Sequence, residues 1–144
     1  MKIDPAELRA GLAETRRFVL SHHLPSEYDR CYSPRIGGRP VHICARCLGV
    51  YPGIAAGFLA ALFLPNDPSV AIVAFLPLPA LFDWALTTFR PARGSNVVRT
   101  ATGALLGCGY GLGVSLLLLE RELAVVAIGA VYAVVAGFLL ARAR

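Results

Sequence analysis

Four apolar stretches, at about residues 48–64, 69–89, 97–119 and 123–141, restrict this chain more than anything else in it. Each approaches the roughly 20 residues a helix needs to cross about 30 Å of hydrocarbon. Lipid offers backbone N–H and C=O groups no water, so an apolar run of this length is read as a membrane helix that satisfies its own backbone. A hydrophobic content of 56% and a mean hydropathy of +0.61 over 144 residues agree, being too apolar for an ordinary soluble domain of this size. The first 20 residues do not read as a cleaved signal, because Arg9, Glu14, Arg16 and Arg17 fall where its apolar core would lie.

The formal charge of +5 raises the question of nucleic acid, and the placement of the charges answers it. Eight of the 14 basic residues precede the first stretch: Lys2, Arg9, Arg16, Arg17, Arg30, Arg35, Arg39 and Arg46. Arg90, Arg93 and Arg99 lie around the loop between the second and third, and Arg142 and Arg144 follow the fourth. Only Arg121 falls on the other side, among Asp67, Glu120 and Glu122. The positive-inside rule then places both termini and the middle loop in the cytoplasm, for a multi-pass protein of the cell (plasma) membrane. The charge is explained by topology, and no nucleic-acid partner is expected.

Asp4-Pro5-Ala6-Glu7 reads as a helix start, with Asp4 as N-cap, Pro5 at the first helical position and Glu7 reaching back. Leu8, Leu12, Thr15 and Val19 share one face of that helix, opposite Arg9, Arg16 and Arg17. Such a helix either lies on the inner membrane surface or packs on the cytoplasmic cap. From His22 to Pro40 periodicity vanishes among prolines and glycines, the composition of a loop held by something other than an apolar core. Residues 37–40, Gly-Gly-Arg-Pro, followed by Val41-His42-Ile43, predict a tight turn or small hairpin that returns the chain to the membrane.

Gly49, Gly53 and Gly57 in the first span, and Gly103, Gly107, Gly111 and Ser115 in the third, form small faces at four-residue spacing. These allow close backbone approach where lipid supplies no hydrophobic drive, so the two helices are expected to pack together or into a common interior. Pro77 and Pro79 predict a kink in the second span, with neighbours satisfying the freed carbonyls.

Three of the four cysteines and all three histidines fall within 26 consecutive residues, in the stretch that lacks a core. A tetrahedral zinc site needs four such ligands, and a Cys-x-x-Cys turn supplies two. The expected set is His22, Cys31, Cys44 and Cys47, with His23 or His42 as substitute nitrogen ligands. A closed structural zinc site explains the cluster most simply. A redox dithiol at Cys44 and Cys47, with Arg46 lowering a thiol pKa, and a catalytic metal with one open position are the alternatives. Cytoplasmic placement disfavours a stable disulfide, and Cys108 reads as a small packing residue.

Asp83 lies about two turns from the cytoplasmic end of the second span, on a face with Thr87 and Arg90. A carboxylate at that depth is a candidate functional group by default, here a possible general acid or base. Ser95, Asn96 and Arg99 open the third span, where an Arg beside unpaired amides suits an anion. Two readings follow: an Asp83 to Arg99 ion pair locking the helices, or an anion-binding pocket that also takes in Arg46, Tyr51 and Arg90.

The motif "HICARCLGVYPGIAAG", with "SHHLP" upstream, resembles the prokaryotic membrane-protein family catalogued as domain of unknown function 2085. The matching positions are His22, Cys44, Arg46, Cys47, Gly49, Tyr51, Gly53, Asp83, Ser95, Asn96, Arg99, Thr102 and Gly103. The family's upstream Cys is replaced here by Ser21, which removes a ligand unless Cys31 takes its place. The resemblance supports the fold and the site and implies no reaction.

The expected fold is all-α, an integral membrane four-helix bundle (48–144) behind an amphipathic N-terminal helix and a small cytoplasmic Cys/His metal-binding cap (1–47). Zinc is the expected cofactor, and membrane lipids, an anionic small molecule and a second copy of the chain are the expected partners. The leading function is binding of an anion or lipid headgroup. Its rivals are a metal-dependent enzyme acting on a phospholipid or prenyl phosphate, a thiol oxidoreductase using Cys44 and Cys47, and a transporter subunit.

Overall fold

A computed structural model describes residues 4–63, 70–90 and 94–143. The expected span limits at Leu64 and Ser69, and the charges Lys2, Asp67, Arg93 and Arg144, lie outside the described residues. The chain divides into two compact units, Met1–Ala45 and Arg46–Arg144.

The first unit opens with helix α1, Pro5–Leu20. Its N-cap is the expected one: the Asp4 Oδ1 accepts from the Ala6 N–H at 2.8 Å. Leu8 and Leu12 are both exposed, so nothing in the cap covers that part of the expected apolar face. The side chains of Arg16, Arg17 and Val19 lie outside the described residues. A short 3₁₀ helix, Pro25–Arg30, leads into strands β1 (Cys31–Tyr32), β2 (Arg35–Ile36), β3 (Arg39–Pro40) and β4 (Ile43–Cys44).

These strands amend the all-α expectation. β2 and β3 form the hairpin expected around residues 37–40; Arg39-Pro40 are already its second strand, and its turn is Gly37-Gly38, whose φ values of +60° and +78° are those a two-residue turn between antiparallel strands requires. Outside it β1 pairs with β4, setting Cys31 directly opposite Cys44 and Tyr32 opposite Ile43. Two-residue strands carry no legible alternation, and only the turn chemistry betrays them.

The second unit is helical: α2 (Ala45–Phe63, which begins on the last residue of the first unit), α3 (Val70–Phe75), α4 (Leu78–Phe89), α5 (Asn96–Ser115) and α6 (Ala124–Ala143). Among the described residues four helices are long and apolar enough to cross a membrane: Ala45–Phe63, Val70–Phe89 counted through its break, Asn96–Glu120 with its π-helical last turn, and Ala124–Ala143. The break between α3 and α4 falls at Pro77, the N-cap of α4, with Pro79 just inside. The Tyr132 hydroxyl of α6 donates to the Ala74 carbonyl beside the break at 2.6 Å, the compensation a broken membrane helix needs.

Helix α5 is the most buried, and glycine makes it so. A Cβ added at Gly49, Gly53 or Gly57 would strike the carbonyl oxygens of Thr100, Ala104 or Cys108, and one at Gly103, Gly107 or Gly111 those of Arg46, Val50 or Ile54. The two faces read from the sequence therefore interlock, α2 on α5, each glycine admitting the other helix's backbone. Gly109 and Gly113 serve a second face, against Pro77 and against Val73 and Val125. Val73, Leu112 and Leu116 form the small buried core there. Phe58, Phe75, Phe82, Val134 and Phe138 are exposed, and α6 has no fully buried residue; in lipid such faces are solvated by acyl chains.

Candidate metal centre and membrane polar cluster

In the first unit the side-chain donors of His22, His23 and Cys44 lie within 4.8 Å of one another, the converging group among the described residues that could hold a metal. Local structure explains the convergence. Cys44 is buried at its place in the β1–β4 ladder, and the turn before the 3₁₀ helix brings the His22 and His23 rings together, tilted, with centroids 4.3 Å apart. Buried Ser21 anchors that turn, accepting from the His23 N–H at 3.3 Å while its Oγ lies 3.2 Å from the Cys31 Sγ.

His23 is the best oriented of the three. Its Nε2 stands 3.5 Å from the Cys44 Sγ, and its Nδ1 faces the Glu27 carboxylate at 3.5 Å. A carboxylate behind a histidine, with the other nitrogen turned to a soft donor, is the outer-shell arrangement common at metal sites. Burial holds the His23 pKa below the ordinary histidine value, aided by His22 and opposed by Glu27. The shift favours the neutral ring, the form that ligates. Two imidazoles and a thiol suit zinc, whose tetrahedral sites take nitrogen and sulfur ligands.

Of the four ligands read from the sequence, His22 and Cys44 converge, joined by His23. Cys31 faces Cys44 across the ladder but is outside the converging group; burial raises its thiol pKa, partly offset by the Ser21 hydroxyl. Cys47, in the first turn of α2, is also outside the group. His42 is drawn elsewhere, stacked on Tyr28 at 3.7 Å and hydrogen-bonded to the Ser33 hydroxyl at 2.8 Å. The signal for His23 was in the sequence: Glu27 stands four residues on.

In the second unit Asp83 has a definite partner, and it is not Arg99. The Arg46 Nη2 donates to the Asp83 Oδ2, tying the first turn of α2 to α4. The Asp83 side chain is 8% exposed and that of Arg46 is 25% exposed. The expected Asp83 to Arg99 ion pair is thus replaced, because Arg46 enters where Gly103 lets the α2 backbone against α5. Arg99 is buried, and its Nη1 donates to the Asn96 Oδ1 at 2.9 Å. The Thr87 hydroxyl donates to the Asp83 carbonyl at 2.8 Å, and Gly94 packs between Thr87 and the Arg99 guanidinium. Ser95 is the extended N-cap of α5 and makes no side-chain cap. Arg90 is exposed at the C-cap of α4, and Tyr51, expected beside the cluster, is 66% exposed.

No curated protein and no solved structure matches the chain. A family description does, over residues 28–113, which take in the cap strands, α2, the Arg46–Asp83 pair and most of α5. The chain belongs to the family described as "Predicted membrane protein (DUF2085)".

Proposed function

We propose that the chain is a four-helix bundle of the cell membrane, its termini and cap cytoplasmic, with a zinc ion holding the cap and an anionic lipid headgroup bound by the basic cluster of its helices. The orientation of His23 between Glu27 and Cys44 carries the metal reading. His22, His23 and Cys44 would supply three ligands, and Cys31, opposite Cys44, is the nearest candidate for a fourth. A bound zinc would contribute folding energy to a segment whose fully buried residues are few: Ser21, Cys31, Cys44 and Ala45 among the described ones. The headgroup reading rests on charge: two cations, Arg46 and Arg99, accompany one carboxylate, Asp83, among the described residues of that cluster. The cytoplasmic assignment rests on the distribution of Lys and Arg along the sequence.

Elemental analysis of the purified protein tests the metal: one zinc per chain is expected, lost in His23→Ala and Cys44→Ser. A wild-type preparation that carries no metal, together with a Cys44→Ser cap that folds as well as the wild-type one, would end this reading. The enzyme alternative has one observation in its favour, that three converging donors leave a fourth position for water. X-ray absorption on the zinc-loaded protein separates the two, since a second sulfur ligand favours the closed site and an oxygen ligand the open one.

A further inference from the structure

A cavity of about 410 Å³ opens among the membrane helices of the second unit. Pro77, Ala80 and Trp84 line it along α4, and Tyr132, Ala136 and Leu140 along one face of α6. Arg46 is the charged residue of the lining. Tyr132 and Trp84 bring the other polar groups, a hydroxyl engaged by the Ala74 carbonyl and an indole N–H. The wall is therefore mostly apolar, and its one charge is Arg46. Arg46 marks one end, with Trp84 and Leu140; Pro77 and Tyr132 mark the other, at the break in the second span.

The dimensions match one leaflet. Tyr132 and Leu140 are eight residues apart, about 12 Å of helix at 1.5 Å per residue, against roughly 15 Å for half the hydrocarbon thickness. The small residues Ala80 and Ala136 make the surface concave, and its volume falls within the range of ordinary small-ligand sites.

Charge selects the occupant. Asp83 engages one nitrogen of the Arg46 guanidinium, whose buried Nε has no acceptor among the described residues. Buried Arg99, outside the lining and one helical turn before the Gly103 that packs on Arg46, adds a second cation, with no carboxylate paired to it among the described residues. The excess is one positive charge where the groove meets the interface, and an uncompensated cation at membrane depth favours an anion. A zwitterionic lipid offers the same phosphate but brings its own cation beside it, so its net charge leaves the excess uncompensated.

We infer that the groove seats one acyl chain of an anionic phospholipid from the adjoining leaflet, with the lipid phosphate at Arg46. This rests on the headgroup reading above and gives the ligand its class and its chain a place. Native mass spectrometry of the full-length protein, offered dioleoyl phosphatidylglycerol and dioleoyl phosphatidylcholine together, tests it. One phosphatidylglycerol per chain should persist, preferred about fivefold, as one basic group at a membrane surface allows. Ala136→Trp, which fills the groove, should cut retention to the phosphatidylcholine level, whereas Ala133→Trp on the exposed side of α6 should behave as wild type. Zinc content is measured in the same samples, so a damaged cap is visible separately. Equal retention of the two lipids by the wild-type protein overturns both the inference and the headgroup reading. A preference that survives in Ala136→Trp overturns the groove alone. Should Ala136→Trp not fold, dihexanoyl phosphatidylglycerol serves as the second probe: it must displace the dioleoyl lipid poorly, and displacement as effective as by the dioleoyl form refutes the chain seat.

Discussion

Gly107→Ala tests the α2–α5 seam with a single methyl group. A Cβ at Gly107 would fall on the Val50 carbonyl oxygen and lie 2.9 Å from the Ile54 nitrogen, both backbone atoms that cannot rotate away. Restoring an ordinary contact requires the helices to part by roughly 1 Å or more, and a gap of about 1 Å already forfeits about half of each dispersion contact it opens. The loss is shared along the seam, because Gly49, Gly53, Gly57, Gly103 and Gly111 make the same approach. Overpacking of this kind costs about 1–3 kcal/mol. Gly129→Ala is the control: it lies in α6, an added Cβ meets nothing within 4 Å, and the higher helix propensity of Ala makes it neutral or stabilising by up to about 1 kcal/mol. Reversible unfolding in mixed micelles, followed by circular dichroism, measures both. If Gly107→Ala is as stable as Gly129→Ala, the helices do not meet at these glycines and the packing described here is wrong.

Tyr132→Phe removes the donor to the Ala74 carbonyl and should cost about 1 kcal/mol, read as a lower unfolding midpoint in the same assay. Arg46→Gln and Asp83→Asn should each destabilise by about 3–5 kcal/mol by stranding a charge, and the double variant by clearly less than their sum. A double-mutant cycle without coupling would mean that the two groups do not pair. Stripping metal with a chelator should loosen the first unit and leave the membrane helices intact, so proteolysis should begin between residues 21 and 44 and be halted by added zinc. Unchanged protection after metal removal would assign the stability of the cap to its strands alone.

How much of this was legible in the sequence depended on the range of the interaction. The four spans, the Asp4 cap, the Gly37-Gly38 turn and the break at Pro77 are local or length-limited, and each follows from rules that look a few residues either way. The glycine seam is long-range, yet its two halves share one period, and that made the partner helices recognisable. The partner of Asp83 was not recognisable in this way. Arg99 and Arg46 are both plausible by charge, and the choice depends on which helix enters beside Gly103, a matter of three-dimensional approach. The candidate metal ligands divided similarly. Cys44 and His22 stood out by residue type, but His42 was lost to the Tyr28 ring and the Ser33 hydroxyl, contacts that a count of Cys and His does not weigh.

The α2–α5 seam repeats every four residues, so it is nearly indifferent to translation. Sliding α2 by one repeat, about 6 Å, would set most glycines opposite equivalent carbonyls again. A periodic track of this kind holds two helices close but does not say where along each other they stop. The stop is the Arg46–Asp83 pair, which has no counterpart one repeat away. Its consequence is positional: a single ion pair at one end sets the height at which α2 begins, and thereby the level at which Arg46 itself meets the groove.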